Sequence, residues 1–168
     1  MDRNVTDQNI ITELSRRAIR KGLSVRLMAC GMSMFPCIWP REMVTFRPLG
    51  DGERLQTGAL VVIDQGVGKK FILHRLIGYS GGKVNTRGDS VGHMDKAWAE
   101  GEILGVVTHI EGRFTHCRRR VSANGGLYAR LMLATAPLSY MVNGLLARCV
   151  SWSTRLIRKP RRKTTIPT

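Results

Sequence analysis

Apolar residues recur with a helical period at the start of the chain. Ile10, Ile11, Leu14 and Ala18 share one side of a helical wheel, and the neighbouring basic residues fall mostly elsewhere. This spacing predicts a short amphipathic helix from about Gln8 to Arg20. Docking of its apolar side onto the protein core is the favoured interpretation, and contact with a membrane surface is the alternative.

The pattern changes between Leu23 and Glu111, where short apolar runs rich in valine and isoleucine are broken by glycine. Such runs are typical of strands and turns, and no long helical pattern interrupts them. The predicted fold is therefore mainly β, a barrel-type domain with antiparallel or mixed strands. The predicted strands are Val25–Ala29, Met43–Phe46, Ala59–Ile63, Lys70–Gly78, Val84–Thr86 and Ile103–Ile110.

Composition adds a distinct C-terminal part to this picture. The 168 residues are 43% apolar, enough for one domain with a core, and the formal net charge is +15. Residues 1–111 hold 15 basic and 12 acidic side chains, whereas residues 112–168 hold 12 basic and no acidic ones. The chain is thus predicted to comprise an N-terminal helix (1–22), a β domain (23–111) and a basic tail (112–168) with an apolar helical segment at 127–152.

The tail favours an association with membranes. Leu131–Ala147 contains 17 residues without charge, which is the lower limit for a helical span of roughly 17–25 residues. The basic cluster between Arg155 and Lys163 suits anionic lipid headgroups. We therefore expect a membrane-associated protein, either peripheral or with one C-terminal span, and a cytoplasmic location is the alternative. Met1–Lys21 contains three acidic residues and predicts no secretory signal peptide.

Candidate chemistry begins with Ser33, which lies in a segment containing glycine and proline, and with His74 on the central predicted strand. A serine hydroxyl needs a base to become nucleophilic near neutral pH, and histidine has a suitable ordinary pKa of about 6.5. His74 shares a largely apolar strand face with Ile72 and Leu76, so a packed core histidine is the alternative interpretation. No metal site or cofactor is predicted, since the four cysteines lack ligand spacing and are interpreted as free thiols.

Four short segments carry a resemblance to a known family. Gly31–Pro36 is similar to the G-x-S-M-x-P box around the nucleophile of the type I signal peptidase superfamily, which includes the LexA-like self-cleaving repressors. Phe71–Ile77 resembles the strand that carries the base, and its histidine followed by arginine is similar to the archaeal and endoplasmic-reticulum branch. Thr86–Ser90 resembles the glycine-aspartate box and Ile103–Val107 the closing strand. The resemblance covers residues 31–108, about half of the chain.

The resemblance implies a signal-peptidase-like β-barrel-type catalytic domain that cleaves a leader or an exported protein through an acyl-enzyme. It implies that Ser33 is the nucleophile and His74 the base. Asp95 is the first choice for the group that orients His74, and Asp89 is the second. Backbone N–H groups around Gly31 and Ser33 would bind the oxyanion.

Two other functions compete with the peptidase hypothesis. One is a LexA-like regulatory protein that uses its basic tail on DNA, although no helix-turn-helix pattern precedes the β domain. The other is a non-catalytic, peptide-binding member of the same fold. Nucleic acid is therefore a disfavoured partner, a peptide or leader and an anionic membrane surface are the expected ones, and the oligomeric state stays open.

Overall fold

The computed structural model describes residues 3–112 and 118–121. Within them the protein is mainly β, with one N-terminal helix and an antiparallel sheet that curls into a half-barrel. The elements are α1 (Arg3–Arg20), β1 (Val25–Met28), β2 (Met43–Arg47), β3 (Leu60–Ile63), β4 (Ile72–Ser80), β5 (Lys83–Arg87), β6 (Trp98–Ala99), β7 (Ile103–Glu111) and β8 (Arg118–Arg120). The predicted apolar tail segment at 127–152 lies outside the described residues.

The sheet follows the order β1-β2-β7-β3-β4-β5-β6, and β8 pairs with β7 beside this path. All of its pairings are antiparallel. Strand β3 lies in the middle, where Leu60 and Val62 enter one apolar cluster while Val61 and Ile63 enter another. Because both of its faces are buried, its sequence is continuously apolar rather than alternating.

All six predicted strands are present, with ends that differ by one or a few residues. The short strand β6, a 3-10 helix at Glu100–Glu102 and β8 were not predicted. Two or three residues are too few to show an alternating pattern, so only pairing with a neighbouring strand defines β6 and β8. The prediction of a mainly β domain is confirmed.

Helix α1 is present, but the predicted docking face is wrong. Ile10, Ile11 and Leu14 are exposed, whereas Arg16 and Ile19 are buried. Arg16 docks the helix because its Nε and Nη2 donate hydrogen bonds of 2.6 and 2.7 Å to the carboxylate of Asp64. Its guanidinium also lies 5.5 Å from the centre of the Phe71 ring. An ion pair supported by an aromatic ring, together with Ile19 in the apolar core, thus takes the place of the expected contact through Ile10, Ile11 and Leu14.

The helix ends at a glycine that reverses the chain toward β1. Gly22 has φ of 80°, a left-handed conformation that residues with a Cβ rarely adopt. Its N–H donates to the Ile19 carbonyl at 2.9 Å, and the Leu23 N–H donates to the Ala18 carbonyl at 3.1 Å. These bonds fix where α1 stops and β1 begins. In the described ranges, no helix is long and apolar enough to cross a membrane.

Candidate active site

Strand β4 carries His74 toward the loop that follows β5. The His74 side chain is almost completely buried, and its Nδ1 lies 2.6 Å from Oδ2 of Asp95. A carboxylate at this distance accepts a hydrogen bond from Nδ1–H and so leaves the proton off Nε2. The contact therefore prepares Nε2 to accept a proton.

Asp95 is itself held by Thr86, which is completely buried and is held in turn by the buried Trp98. The Thr86 hydroxyl donates a hydrogen bond of 2.5 Å to Asp95 Oδ2, and the Asp95 N–H donates to the Thr86 carbonyl at 2.9 Å. Trp98 Nε1 in turn donates to Thr86 Oγ1 at 2.9 Å. The hydroxyl of Thr86 donates its hydrogen to Asp95, because an ionised carboxylate can only accept and the Trp98 N–H can only donate. A directed chain of hydrogen bonds therefore runs from β6 through β5 to the imidazole.

These contacts keep Asp95 ionised despite its partial burial. Burial by itself would raise the pKa of the Asp95 carboxyl, but the hydrogen bonds with His74 and Thr86 outweigh this effect. The pKa of Asp95 therefore lies below its ordinary value. An ionised Asp95 can stabilise an imidazolium at His74.

The segment that contains Ser33 is fastened to the loop after β5 by Ser90. The Ser90 N–H donates to the Ser33 carbonyl at 2.9 Å, and its hydroxyl donates to the Met32 carbonyl at 2.6 Å. Inside the segment, the Phe35 N–H closes a turn on the Met32 carbonyl at 3.0 Å. Ser90 thereby fixes the backbone of Ser33 relative to the strand that leads to Asp95.

Gly88 separates the serine segment from His74. A Cβ built at Gly88 would lie 2.7 Å from the Ser33 carbonyl oxygen and 3.1 Å from His74 Nε2. Both distances are shorter than ordinary van der Waals contact, so only glycine lets the two residues come so close. The Ser33 carbonyl oxygen and Nε2 of His74 therefore both border the space that a Cβ at residue 88 would occupy.

The backbone around Ser33 leaves a donor available. Gly31 has φ of 98°, and this left-handed turn sets the course of the chain into Ser33. Within the described part of the chain, the N–H of Ser33 has no hydrogen-bond acceptor. Ser33 Oγ and His74 form no hydrogen bond in this structure, and such pairs commonly tighten only when substrate binds.

Asp89, the second choice for orienting His74, pairs with Arg75 instead. Two hydrogen bonds of 2.7 and 2.6 Å join the Arg75 guanidinium to the Asp89 carboxylate, and both side chains are buried. Arg75 also donates to the Gly58 carbonyl at 2.8 Å and contacts the thiol of Cys37. Burial would lower the pKa of Arg75, but the pairing with Asp89 keeps it above its ordinary value. The structure thus brings Asp95, and not Asp89, to His74.

The described residues include two cysteines and two further histidines. Within the described residues, Cys30 is exposed, Cys37 is buried, and neither forms a disulfide, whereas Cys117 and Cys149 lie outside those residues. His93 is exposed, and His109 Nδ1 lies 3.1 Å from the Thr108 hydroxyl. Among the described residues, no group of three or more histidine, cysteine or acidic side chains is placed to hold a metal ion.

Sequence reasoning missed the residues that hold the candidate pair together. Thr86, Gly88 and Ser90 all lie in the segment that resembles the glycine-aspartate box, yet only the aspartate was singled out there. The signal available was the grouping of a hydroxyl, a glycine and a second hydroxyl within five residues. Trp98 gave no signal, since a tryptophan in a short strand is usually only core.

Comparison of the chain with protein-family models, with curated proteins and with solved structures finds no match. The geometry of the site therefore carries the functional argument.

Proposed function

We propose that this protein is a serine endopeptidase of signal-peptidase type that cleaves a leader or an exported protein. The observation that carries the proposal is the placement of His74, whose Nδ1 is held by Asp95 while its Nε2 faces Gly88 and the backbone of Ser33. A nucleophile, a base and an orienting carboxylate in this order are the working parts of acyl transfer. The proposed fold is accordingly a signal-peptidase-like, LexA-like barrel.

In the proposed reaction, Ser33 Oγ attacks the scissile carbonyl and passes its proton to His74 Nε2. Asp95 stabilises the imidazolium that forms, which its depressed pKa permits. The oxyanion accepts a hydrogen bond from the Ser33 N–H, the donor without an internal partner. The C–N bond then breaks, His74 gives its proton to the leaving amine, and water releases the acyl group from Ser33.

Strand β1 supports a peptide substrate bound in extended form. Among the strands that the structure describes, β1 pairs only with β2, so its other edge has no strand partner in this part of the chain. Strand β1 ends at Met28, five residues before Ser33. A substrate peptide that paired with the free edge of β1 as an added strand would therefore bring its own carbonyl groups toward the nucleophile. Small side chains flanking the scissile bond would fit most easily beside the buried His74.

We further propose that the basic tail holds the enzyme at an anionic membrane surface, as a peripheral protein. The charge of residues 112–168 supports this, because twelve basic and no acidic side chains are attracted to anionic headgroups. A substrate with an apolar leader would be concentrated at the same surface.

The test is cleavage of a preprotein with small residues before the cut, using the full chain with vesicles that contain phosphatidylglycerol. Products are quantified by mass spectrometry. Ser33→Ala should lower the rate by more than about a thousandfold. Ser80→Ala, at an exposed serine that ends β4, should cleave at the rate of the unaltered protein.

A second measurement separates catalysis from mere binding. Intact-mass spectra during turnover should show the acyl adduct on the unaltered protein and none on Ser33→Ala. Equal cleavage by Ser33→Ala and the unaltered protein would rule out Ser33 as nucleophile. Peptide binding with neither cleavage nor an adduct would assign the chain to the non-catalytic alternative.

A further inference from the structure

The outward side of α1 combines exposed aliphatic and basic side chains. The exposed fractions are 53% for Ile10, 51% for Ile11 and 59% for Leu14, and Leu23, just after the helix, is 57% exposed. Arg17 has 70% of its side chain exposed, and Lys21 is also exposed. We call this set of six residues the α1 outer face.

The placement of these residues follows from helical geometry. Positions 10, 14, 17 and 21 are spaced by three or four residues and form one stripe. Thr12, Ser15, Arg16 and Ile19 lie on the opposite side, which faces the sheet, and the last three of these are buried. The stripe therefore reads apolar in its first half and basic in its second half.

The attachment of α1 explains why an apolar face stays outside. The buried ion pair of Arg16 with Asp64 and the ring of Phe71 fix the helix in its rotation about its own axis. Rolling the aliphatic residues onto the sheet would separate Arg16 from Asp64 and leave the partly buried Asp64 carboxylate without the guanidinium that neutralises it, which is unfavourable. The α1 outer face is therefore held rigidly toward the outside.

We propose that the α1 outer face is a second membrane-docking surface, which binds the interface of a bilayer rich in anionic lipid. An interfacial helix places aliphatic side chains at the boundary of the lipid acyl chains, and its arginine and lysine side chains reach the headgroups. This inference does not depend on the chemistry at Ser33, and it concerns a surface distinct from the C-terminal tail.

Charge selects lipid over the other occupants of an apolar face. A second copy of this chain would bring a second Arg17 and a second Lys21 to the same interface, which adds positive charge where negative charge is needed. The tail of this chain has twelve basic and no acidic side chains from residue 112 onward, so it supplies no negative charge to pair with Arg17 and Lys21. An anionic bilayer supplies both an apolar phase and negative charge.

The test uses the full chain and sedimentation with vesicles of phosphatidylcholine alone or with 30% phosphatidylglycerol. The double variant that carries Ile10→Asp and Leu14→Asp is compared with a control double variant that carries Val67→Asp and Ser80→Asp. The first should bind the anionic vesicles at least tenfold more weakly than the control. This control makes the same charge change at two other exposed positions.

A second double variant, Arg17→Glu with Lys21→Glu, tests the charge. It should weaken binding to the anionic vesicles and leave the weak binding to neutral vesicles unchanged. Equal binding by the aspartate variant and its control would overturn the proposal.

A photocrosslinking amino acid separates α1 from the tail, which can hold the protein on a vesicle by itself. Placed at position 14 of the otherwise unaltered chain, it should form lipid adducts on anionic vesicles, and placed at position 80 it should form none. Vesicle-bound protein without a lipid adduct at position 14 would refute the proposal. So would a protein–protein crosslink there, which would assign the α1 outer face to a second copy or to the tail.

Discussion

Thr86 and His74 use the same oxygen of Asp95. Oδ2 accepts the Thr86 hydroxyl at 2.5 Å and lies 2.6 Å from His74 Nδ1. Because Trp98 donates to the Thr86 hydroxyl oxygen, the direction of this chain of hydrogen bonds is fixed. The orientation of the imidazole thus depends on residues that no substrate would touch.

Removing the hydroxyl of Thr86 should affect both stability and turnover. Thr86→Val keeps the shape but leaves the buried Trp98 N–H without an acceptor, which should cost about 1–3 kcal/mol of unfolding free energy. The cleavage rate should fall about tenfold, because Asp95 loses one of its two side-chain donors. Urea unfolding and initial rates measure the two effects.

The matched controls for that change are Thr86→Ser and the double variant Thr86→Val with Trp98→Phe. The serine variant should keep most of the rate, and the double variant should recover part of the lost stability because no buried donor is left unpaired. If Thr86→Val unfolded and cleaved like the unaltered protein, the hydrogen-bond chain would have no functional role.

Asp95 and Asp89 should respond differently to the same amidation. Asp95→Asn should lower kcat about a thousandfold or more with a modest change in stability, since the amide can favour the wrong tautomer of His74. Asp89→Asn should instead lower the unfolding free energy by about 3–5 kcal/mol, because it leaves the Arg75 charge buried without its partner.

Kinetics below the unfolding temperature, paired with denaturant titrations, distinguish the two aspartates. A fully active Asp95→Asn variant would remove that residue from the proposed mechanism. A large loss of turnover in folded Asp89→Asn would instead move the orienting role to Asp89.

A methyl group at Gly88 should force the serine segment away from His74. The added Cβ would meet the Ser33 carbonyl at 2.7 Å and the Val91 side chain at 2.9 Å. Gly88→Ala should therefore cost about 1–3 kcal/mol of stability and lower kcat at least a hundredfold. Gly101→Ala is the control, since a Cβ at Gly101 has no atom within 4 Å. Equal activity of the two variants would contradict the close approach.

Acid should weaken the attachment of α1 through Asp64. The pKa of Asp64 is lowered chiefly by its hydrogen bonds from Arg16, against the opposing effect of burial. Its ionised form is therefore favoured by folding, and this contribution is complete at neutral pH. It is lost as the pH falls from about 3.9, the ordinary value for aspartate, through the lower pKa of the folded state.

The variant Asp64→Asn lacks this titration. It should be less stable than the unaltered protein at pH 7 and approach it at pH 2.5. Urea unfolding at the two pH values measures the difference, and a constant gap between the proteins would contradict a depressed pKa at Asp64.

Most of the fold could be predicted because strands leave local signals. Valine-rich runs and glycine breaks located the six principal strands, including β3, whose unbroken apolar sequence reflects burial on both faces. The docking of α1 could not be predicted in this way. The helical-wheel pattern correctly identified an aliphatic side of α1. It gave no sign that α1 docks through Arg16, because the partner of Arg16 is Asp64, 48 residues further along the chain.

By itself, the sequence determined the strand pattern, the concentration of charge in the tail, and the candidate pair Ser33 and His74, because these depend on residue type, spacing and local motifs. The resemblance to the signal peptidases added Asp95 and Asp89 as candidates for the orienting group. Only the tertiary structure decided which aspartate reaches His74, since both follow β5 within eight residues. That choice rests on the Arg75 guanidinium, which takes Asp89 into the interior, and on Thr86, which draws Asp95 to the imidazole. Burial allows few charges without partners, and a pairing between distant residues exists only once the sheet has formed.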